Sequence, residues 1–240
     1  MRKALGVIPA RYHSTRFPGK PLALILGKTM IQRVYERARG SRLLEKVVIA
    51  ADDERIFSAA KKFGAEVQMT SSYHNSGTER VAEVAAKLDF PIVVNIQGDE
   101  PLIEGRMIDG LVEALQDASI PMATLMARQE DLKLLQDRHV VKVVVSRDGF
   151  ALYFSRAPLP YQAPDFFFQH IGVYGYQKDF LLQFKEMSPS RLEKIEKLEQ
   201  LRVLENGCKI KMVEIPLPTL SVNTPQDIIK VEEILKERSG

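Results

Sequence analysis

Short, unbroken apolar runs alternate with helical patterns through the first half of this chain, and that alternation restricts the fold most. Residues 4–9, 47–51 and 92–96 are continuous apolar stretches, and 66–69 is a shorter strand-like one. Runs of this kind suit strands buried on both faces, as in a parallel sheet covered by helices. Between them Ile31, Val34, Tyr35 and Ala38 recur at helical spacing, as do Ile56, Ala59, Ala60 and Phe63. Asp52 is placed to cap the second of these helices and Gly64 to end it. Residues 78–88 and 106–116 read as further helices. The expectation is an α/β chain with a mostly parallel central sheet.

The pattern then changes. Residues 122–127, 140–145, 150–154 and 171–176 read as strands with few helices among them, and Ser146-Arg147-Asp148-Gly149 as a hairpin turn. Residues 157–169 hold three prolines and four aromatics and read as a loop whose apolar matter needs a lid, a substrate or a partner subunit. Two helices are expected at 178–187 and 191–205, the second with Leu192, Ile195, Leu198, Leu201 and Leu204 as its stripe. A strand follows at 209–215, and Thr224-Pro225-Gln226-Asp227 opens the last helix with proline at its first position. With no repeat or linker, the economical reading is one domain. It divides into a half at 1–120, a mixed-sheet insertion at 121–222, and a C-terminal helix at 223–240 packing back on the first half.

Composition narrows the function classes. A hydrophobic content of 45% over 240 residues supports a substantial core, and 27% charged residues is ordinary for a soluble protein. No apolar run is long enough to cross a bilayer. Pro9 and Arg11 interrupt the apolar start before it could serve as a signal peptide. The single cysteine, Cys208, excludes an internal disulfide framework, suits a reducing cytoplasm, and reads as a buried structural thiol. Net charge is only +3, yet residues 1–42 carry ten Lys/Arg against one acid, Glu36. Such a field attracts polyanions, and without interleaved aromatics a small polyanion fits better than nucleic acid.

The cations concentrate in residues 8–22, where Arg11, Arg16 and Lys20 accompany Ser14 and Thr15 directly after a strand. Arginine forks and a compact ammonium there suit a polyphosphate, and helix-flanking amides could add to the site. No G-x-G-x-x-G, P-loop or zinc motif is present, which disfavours dinucleotide, P-loop and zinc chemistry. Asp99, in Asn95-Ile96-Gln97-Gly98-Asp99-Glu100-Pro101, lies where a buried strand ends. It either binds a hard cation such as Mg²⁺ or caps a turn. Ser76-Gly77-Thr78-Glu79-Arg80 either caps a helix or hydrogen-bonds a nucleotide. Arg156, His170 and Tyr174 sit on strands among apolar neighbours, where Arg156 calls for an anion, either a structural carboxylate or that of a bound sugar acid.

Nearly the whole chain resembles one family, the 3-deoxy-manno-octulosonate (Kdo) cytidylyltransferases. The resemblance is carried by IPARYHSTRFPGKPL (8–22), ADDERI (51–56), MTSSYHNSGTERV (69–81), VNIQGDEP (94–101) and VKVV (141–144). It continues through ALYFSRAPLP (151–160), HIGVYGY (170–176), Leu198 to Gly207 and the Thr224-Pro225 segment. The nucleotide-side motifs are shared with CMP-sialic acid synthetases, and the later ones look specific to the Kdo enzymes. The resemblance implies a nucleotide-diphospho-sugar transferase-like, Rossmann-like three-layer fold, a cytoplasmic homodimer, and Mg²⁺-dependent transfer of CMP from CTP to Kdo for lipopolysaccharide inner-core synthesis. By motif, Arg11, Ser14, Arg16 and Lys20 would hold the triphosphate, Ser76, Gly77 and Arg80 would surround the nucleotide, and Gln97 would lie between ribose and Kdo. Arg16, Lys20 and Asp99 would act in catalysis, Asp99 on Mg²⁺, and Arg156, His170, Tyr174, Glu199 and Gln200 would form the Kdo pocket. The insertion at 121–222 would then serve sugar-acid binding and dimerisation. No membrane insertion or nucleic-acid partner is implied, and a related acceptor such as 8-amino-Kdo or a sialic-type acid is the alternative.

Two positions depart from the family pattern. Asn223 stands where a second Mg²⁺-binding aspartate is usual, and Ala51 where many relatives have threonine. A non-catalytic nucleotide-binding relative would find its support in Asn223 alone, against Arg16, Lys20 and Asp99.

Overall fold

In the computed structural model, residues 1–13, 17–163, 165–216 and 218–238 are described. The order begins β1 (Ala4–Ala10), β2 (Leu24–Ile25), β3 (Lys28–Thr29), α1 (Met30–Ala38), β4 (Leu44–Ala51), α2 (Glu54–Lys62), β5 (Val67–Met69), α3 (Gly77–Ala86), β6 (Ile92–Asn95) and α4 (Gly105–Ala114). It continues with β7 (Met122–Gln129), β8 (Lys142–Val145), β9 (Ala151–Ser155), β10 (Phe167–Gln177), α5 (Lys178–Glu186), α6 (Arg191–Glu196), α7 (Leu201–Glu205), β11 (Ile210–Ile215) and α8 (Pro225–Glu237). The chain forms two compact units, one of residues 2–109 with the segment from 219 onward, the other of residues 110–218.

In the first unit the apolar runs become parallel strands in the order β6-β1-β4-β5. Leu5, Val7, Ile8, Val93 and Val94 are wholly buried, as strands covered on both faces require. From β1 the chain moves to β4 and β5 on one side, and then returns to place β6 on the other. This reversal opens a crevice beyond the carboxyl ends of β1 and β6, where ligands bind in open α/β sheets. The Thr29 hydroxyl caps α1 by accepting from Gln32 N–H. Asp53, not the expected Asp52, caps α2 by accepting from Arg55 N–H, so Asp52 is free for other work. Pro225 begins α8 behind a Thr224–Asp227 capping box, and Glu232 of that helix accepts from Leu26 N–H.

In the second unit β11 lies parallel to β7, which pairs antiparallel with β10, followed by β8 and β9 in antiparallel pairs. The 146–149 hairpin is present, with Gly149 at φ 74°, a conformation that glycine adopts without strain. Three expectations change here. Residues 167–169 belong to β10 rather than to a loop, and Phe167 is buried while the Phe166 ring stacks on the Arg128 guanidinium at 3.9 Å. Much of that aromatic matter is therefore covered within its own unit, although Tyr161 stays exposed. The helix expected over 191–205 is two pieces, because Lys197 turns left-handed at φ 58° and ends α6. Ile195, part of the supposed stripe, is exposed, whereas Leu198 and Leu201 are buried. Cys208 is half-buried rather than buried.

Candidate active site

The crevice of the first unit is a cavity of about 270 Å³ lined by Pro9, Arg11, Lys20, Pro21, His74, Asn75, Ser76, Gly77, Arg80, Gln97, Gly98 and Asp99. Each element delivers its share because of where it ends: Arg11 leaves β1, Gln97 to Asp99 leave β6, and Ser76 and Gly77 open α3. Gly98 is required by sterics. A Cβ there would lie 2.8 Å from the Pro9 carbonyl oxygen, so a side chain would force β1 and the β6 loop apart. Three cations face the cavity against the single carboxylate of Asp99, a balance that favours a polyanionic ligand.

Ser14, Thr15 and Arg16 lie outside the described residues, but both ends of their loop are anchored. Tyr12 O accepts from Gly19 N–H at 2.9 Å, and Tyr12 N–H donates to Asp52 Oδ1 at 2.9 Å. The Tyr12 ring carries the Arg55 guanidinium at 3.3 Å from its centroid, while Asp53 holds that guanidinium through two bonds of 2.7 Å. Lys20 Nζ lies 2.5 Å from Asp99 Oδ2 and 3.1 Å from Val222 O. Asp99 O accepts from Val222 N–H at 2.9 Å, so the strap before α8 is stitched to the cavity floor.

Arg80 is almost fully buried. It donates to Thr70 Oγ1 at 2.6 Å and to Ser71 O at 3.0 Å, and reaches Asp52 Oδ2 at 3.3 Å. Desolvation lowers its pKa, opposed by Asp52 and reinforced by Arg11. Asp52 thus serves the basic loop through Tyr12 and the α3 side through Arg80. Ser76 is the N-cap of α3, its hydroxyl accepting from Glu79 N–H at 3.2 Å, so the capping role is real and coexists with its place on the cavity wall. Glu100, next to Asp99, is buried and accepts from the Thr219 and Ser221 hydroxyls. Burial, with Asp99 adding to it, pushes its pKa up to about 7.

The sequence-derived oxygen donors are the Asp99 carboxylate, which lines the cavity, and the amide of Asn223, an exposed residue. Asn223 follows Val222, whose amide and carbonyl join Asp99 and Lys20. Among the described residues no group of three or more His, Cys, Asp or Glu is arranged around a metal. Two protein oxygens suit Mg²⁺, which keeps waters and takes substrate phosphates rather than an all-protein cage. The chemistry of this pair therefore fits a magnesium nucleotide.

The remaining sequence-derived residues lie in the second unit. Arg156 directs its guanidinium at the carbonyls of Glu196 (2.9 Å), Arg138 (3.0 Å) and Lys197 (3.4 Å), and its N–H donates to the Glu196 carboxylate. Lys142, which sequence reasoning passed over, is wholly buried, with Nζ donating to Asp137 O, Val140 O and Arg156 O at 3.0, 2.7 and 2.6 Å. Where β10 is irregular between Ile171 and Tyr174, the Thr124 hydroxyl meets His170 Nε2 at 3.0 Å and Val173 O at 2.8 Å. His170 is buried between Phe154 and Tyr174, and desolvation lowers its pKa to about 3. Tyr174 Oη lies 3.3 Å from Gln200 Oε1. Gln200 is buried, and its Nε2 has no hydrogen-bond partner among the described residues. Glu199 lies 3.8 Å from Arg202.

Sequence reading therefore found the cavity's charged residues and missed Asp52, Glu100, His74 and Asn75. Only the adjacency of Asp52 to Asp53 and of Glu100 to Asp99 hinted at the first two. No described helix is long and apolar enough to cross a membrane.

Residues 5–211 match the cytidylyltransferase family. The chain is 52% identical, over 96% of its length and 97% of the relative's, to a 3-deoxy-manno-octulosonate cytidylyltransferase of Syntrophotalea carbinolica. It is 50% identical to the enzyme so named in Geotalea daltonii, covering 98% of this chain and 99% of that one. A CMP:2-keto-3-deoxy-manno-octonic acid synthetase solved in complex with CTP superposes with a TM-score of 0.93 at 40% identity, over 98% of this chain and 99% of the other. With the cation-lined cavity at the β1/β6 reversal, these likenesses show that the chain belongs to the cytidylyltransferases and, among them, to the 3-deoxy-manno-octulosonate cytidylyltransferase family.

Proposed function

We infer that this chain transfers CMP from CTP to the anomeric hydroxyl of Kdo, releasing CMP-Kdo and pyrophosphate. The observation that carries this reading is the convergence of Arg11, Lys20, Arg80 and Asp99 on one cavity where the strand order reverses. In the reaction the Kdo hydroxyl oxygen forms a bond to the α-phosphorus as the bond to pyrophosphate breaks, and the hydroxyl proton passes to solvent.

The chain's own residues divide this work. Arg11 and Lys20 place positive charge where the triphosphate would lie, and Arg16, which lies outside the described residues, is assigned the same task from the family motif alone. Lys20, braced by Asp99 and Val222 O, is held ready to neutralise charge that grows on the departing pyrophosphate. Arg80 is fixed by Asp52, Thr70 and Ser71, so its role is to keep the nucleotide side of the cavity in shape. Asp99 and Asn223 would hold Mg²⁺, which supplies neutralisation of the phosphate charge. An amide oxygen in place of a carboxylate makes that hold weaker. On the acceptor side, Gln200 Nε2, which has no hydrogen-bond partner among the described residues, offers a donor to a sugar-acid oxygen, next to Tyr174. A homodimer, a cytoplasmic location and supply of activated Kdo to lipopolysaccharide belong to the same reading.

Pyrophosphate release from CTP, measured side by side with Kdo, 8-amino-Kdo and sialic acid, tests it. Release is expected with Kdo. CTP binding without release for any acceptor would overturn the enzymatic reading in favour of a nucleotide-binding protein.

A further inference from the structure

Asn95 ends β6 among Val93, Val94 and Ile96, and is itself wholly buried. Its Oδ1 accepts from Gln97 Nε2 at 3.0 Å, but its own Nδ2 has no partner among the described residues. A buried donor left unpaired weakens a fold, and an apolar residue of the same shape would remove that penalty. Stability therefore does not account for an asparagine here. Its bond to Gln97 does: it turns the nitrogen end of the Gln97 carboxamide inward. The Gln97 oxygen then stands on the cavity side, 3.8 Å from where a Gly77 Cβ would be.

We propose that Asn95 is a positioning residue that fixes Gln97 as a hydrogen-bond acceptor for a substrate hydroxyl. The proposal rests on the reading of this cavity as the CTP site. An oriented carboxamide oxygen accepts from a hydroxyl and offers nothing to a bare phosphate oxygen. The hydroxyl comes either from the ribose of CTP or from the acceptor sugar.

Asn95→Leu, a near match in shape, and Asn95→Val, which favours strands, are compared with Gln97→Ala and with the double variants. Kinetics with CTP, 2′-deoxy-CTP, 3′-deoxy-CTP and Kdo are read alongside thermal melting. Both Asn95 variants are expected to melt no lower than the parent. Their kcat/KM should fall about tenfold, the scale of one misplaced hydrogen bond. In the Gln97→Ala background the same substitutions should change nothing further, since the effect acts through Gln97. Discrimination lost against one deoxynucleotide identifies the ribose hydroxyl, and a raised KM for Kdo identifies the acceptor's. Unchanged kinetics, additive effects of the two positions, or lower melting of both Asn95 variants would overturn the proposal. If the parent protein binds CTP but makes no CMP-Kdo, the catalytic reading fails on its own, and CTP affinities of the same variants decide the role of Asn95.

Discussion

His170 ties acid stability to one buried ring, and the size of the effect follows from its environment. The ring is 8% exposed, lies 4.9 Å from Phe154 in an edge contact, and has Nε2 beside the Thr124 hydroxyl. Desolvation lowers its pKa from 6.5 to about 3. The folded state thus keeps the ring neutral, while the unfolded chain takes a proton below pH 6.5. Stability from this group is complete above pH 6.5 and is lost as pH falls towards 3. Linkage makes the loss about 2 kcal/mol at pH 5 and nearly 5 kcal/mol once pH falls below 3. Urea unfolding of the parent and of His170→Gln at pH 7.5 and pH 5 isolates the term, because only the change in their difference with pH matters. The parent should lose about 2 kcal/mol more than the variant between those values. A difference independent of pH would refute the neutral, buried ring. The same burial bars His170 from acting as a base with a pKa near 7, so any rate dependence between pH 6 and 8 should survive the substitution.

Three further outcomes are expected. Lys20→Ala removes the ammonium braced by Asp99 and should lower kcat by roughly 10²- to 10³-fold while leaving the KM for Kdo nearly unchanged; normal turnover would remove Lys20 from the chemistry. Asn223→Asp should lower the Mg²⁺ concentration for half-maximal turnover and strengthen Mg²⁺-dependent CTP binding by calorimetry, and no change in either would exclude position 223 from the metal site. Asp52→Ala takes the carboxylate from a buried Arg80 and from Tyr12 N–H, and should cost about 3 kcal/mol in urea unfolding, with Asp52→Asn milder. A loss under about 0.5 kcal/mol, the range of ordinary surface substitutions, would show that the pair carries no load.

Much of the fold was legible because local pattern and final environment agree. Residues 4–9 and 92–94 carry no polar side chain, as strands buried on both faces demand. Reading failed where a single backbone angle decided the outcome. Nothing in residues 191–205 announces that Lys197 will turn left-handed, because lysine has no preference for that region and the stripe runs through it. Asp52 and Asp53 are equally able to cap α2. Which of them does so depends on where Tyr12 N–H and Arg80 lie, and those are long-range facts.

The sequence by itself determined the chemical inventory: a parallel α/β core, a basic loop after the first strand, an acidic turn after a later one, and a family pattern across nearly the whole chain. These are properties of residue type and order, and they survive translation into three dimensions. Only the tertiary structure decided which polar groups share a partner. Arg80 meets Asp52 from 28 residues away, Lys20 meets Val222 O from 202, and Glu100 meets Ser221 from 121. No periodicity reaches across such separations. Parallel strands bring their carboxyl ends to one edge whatever lies between them, so the residues that work together need not be near in the chain.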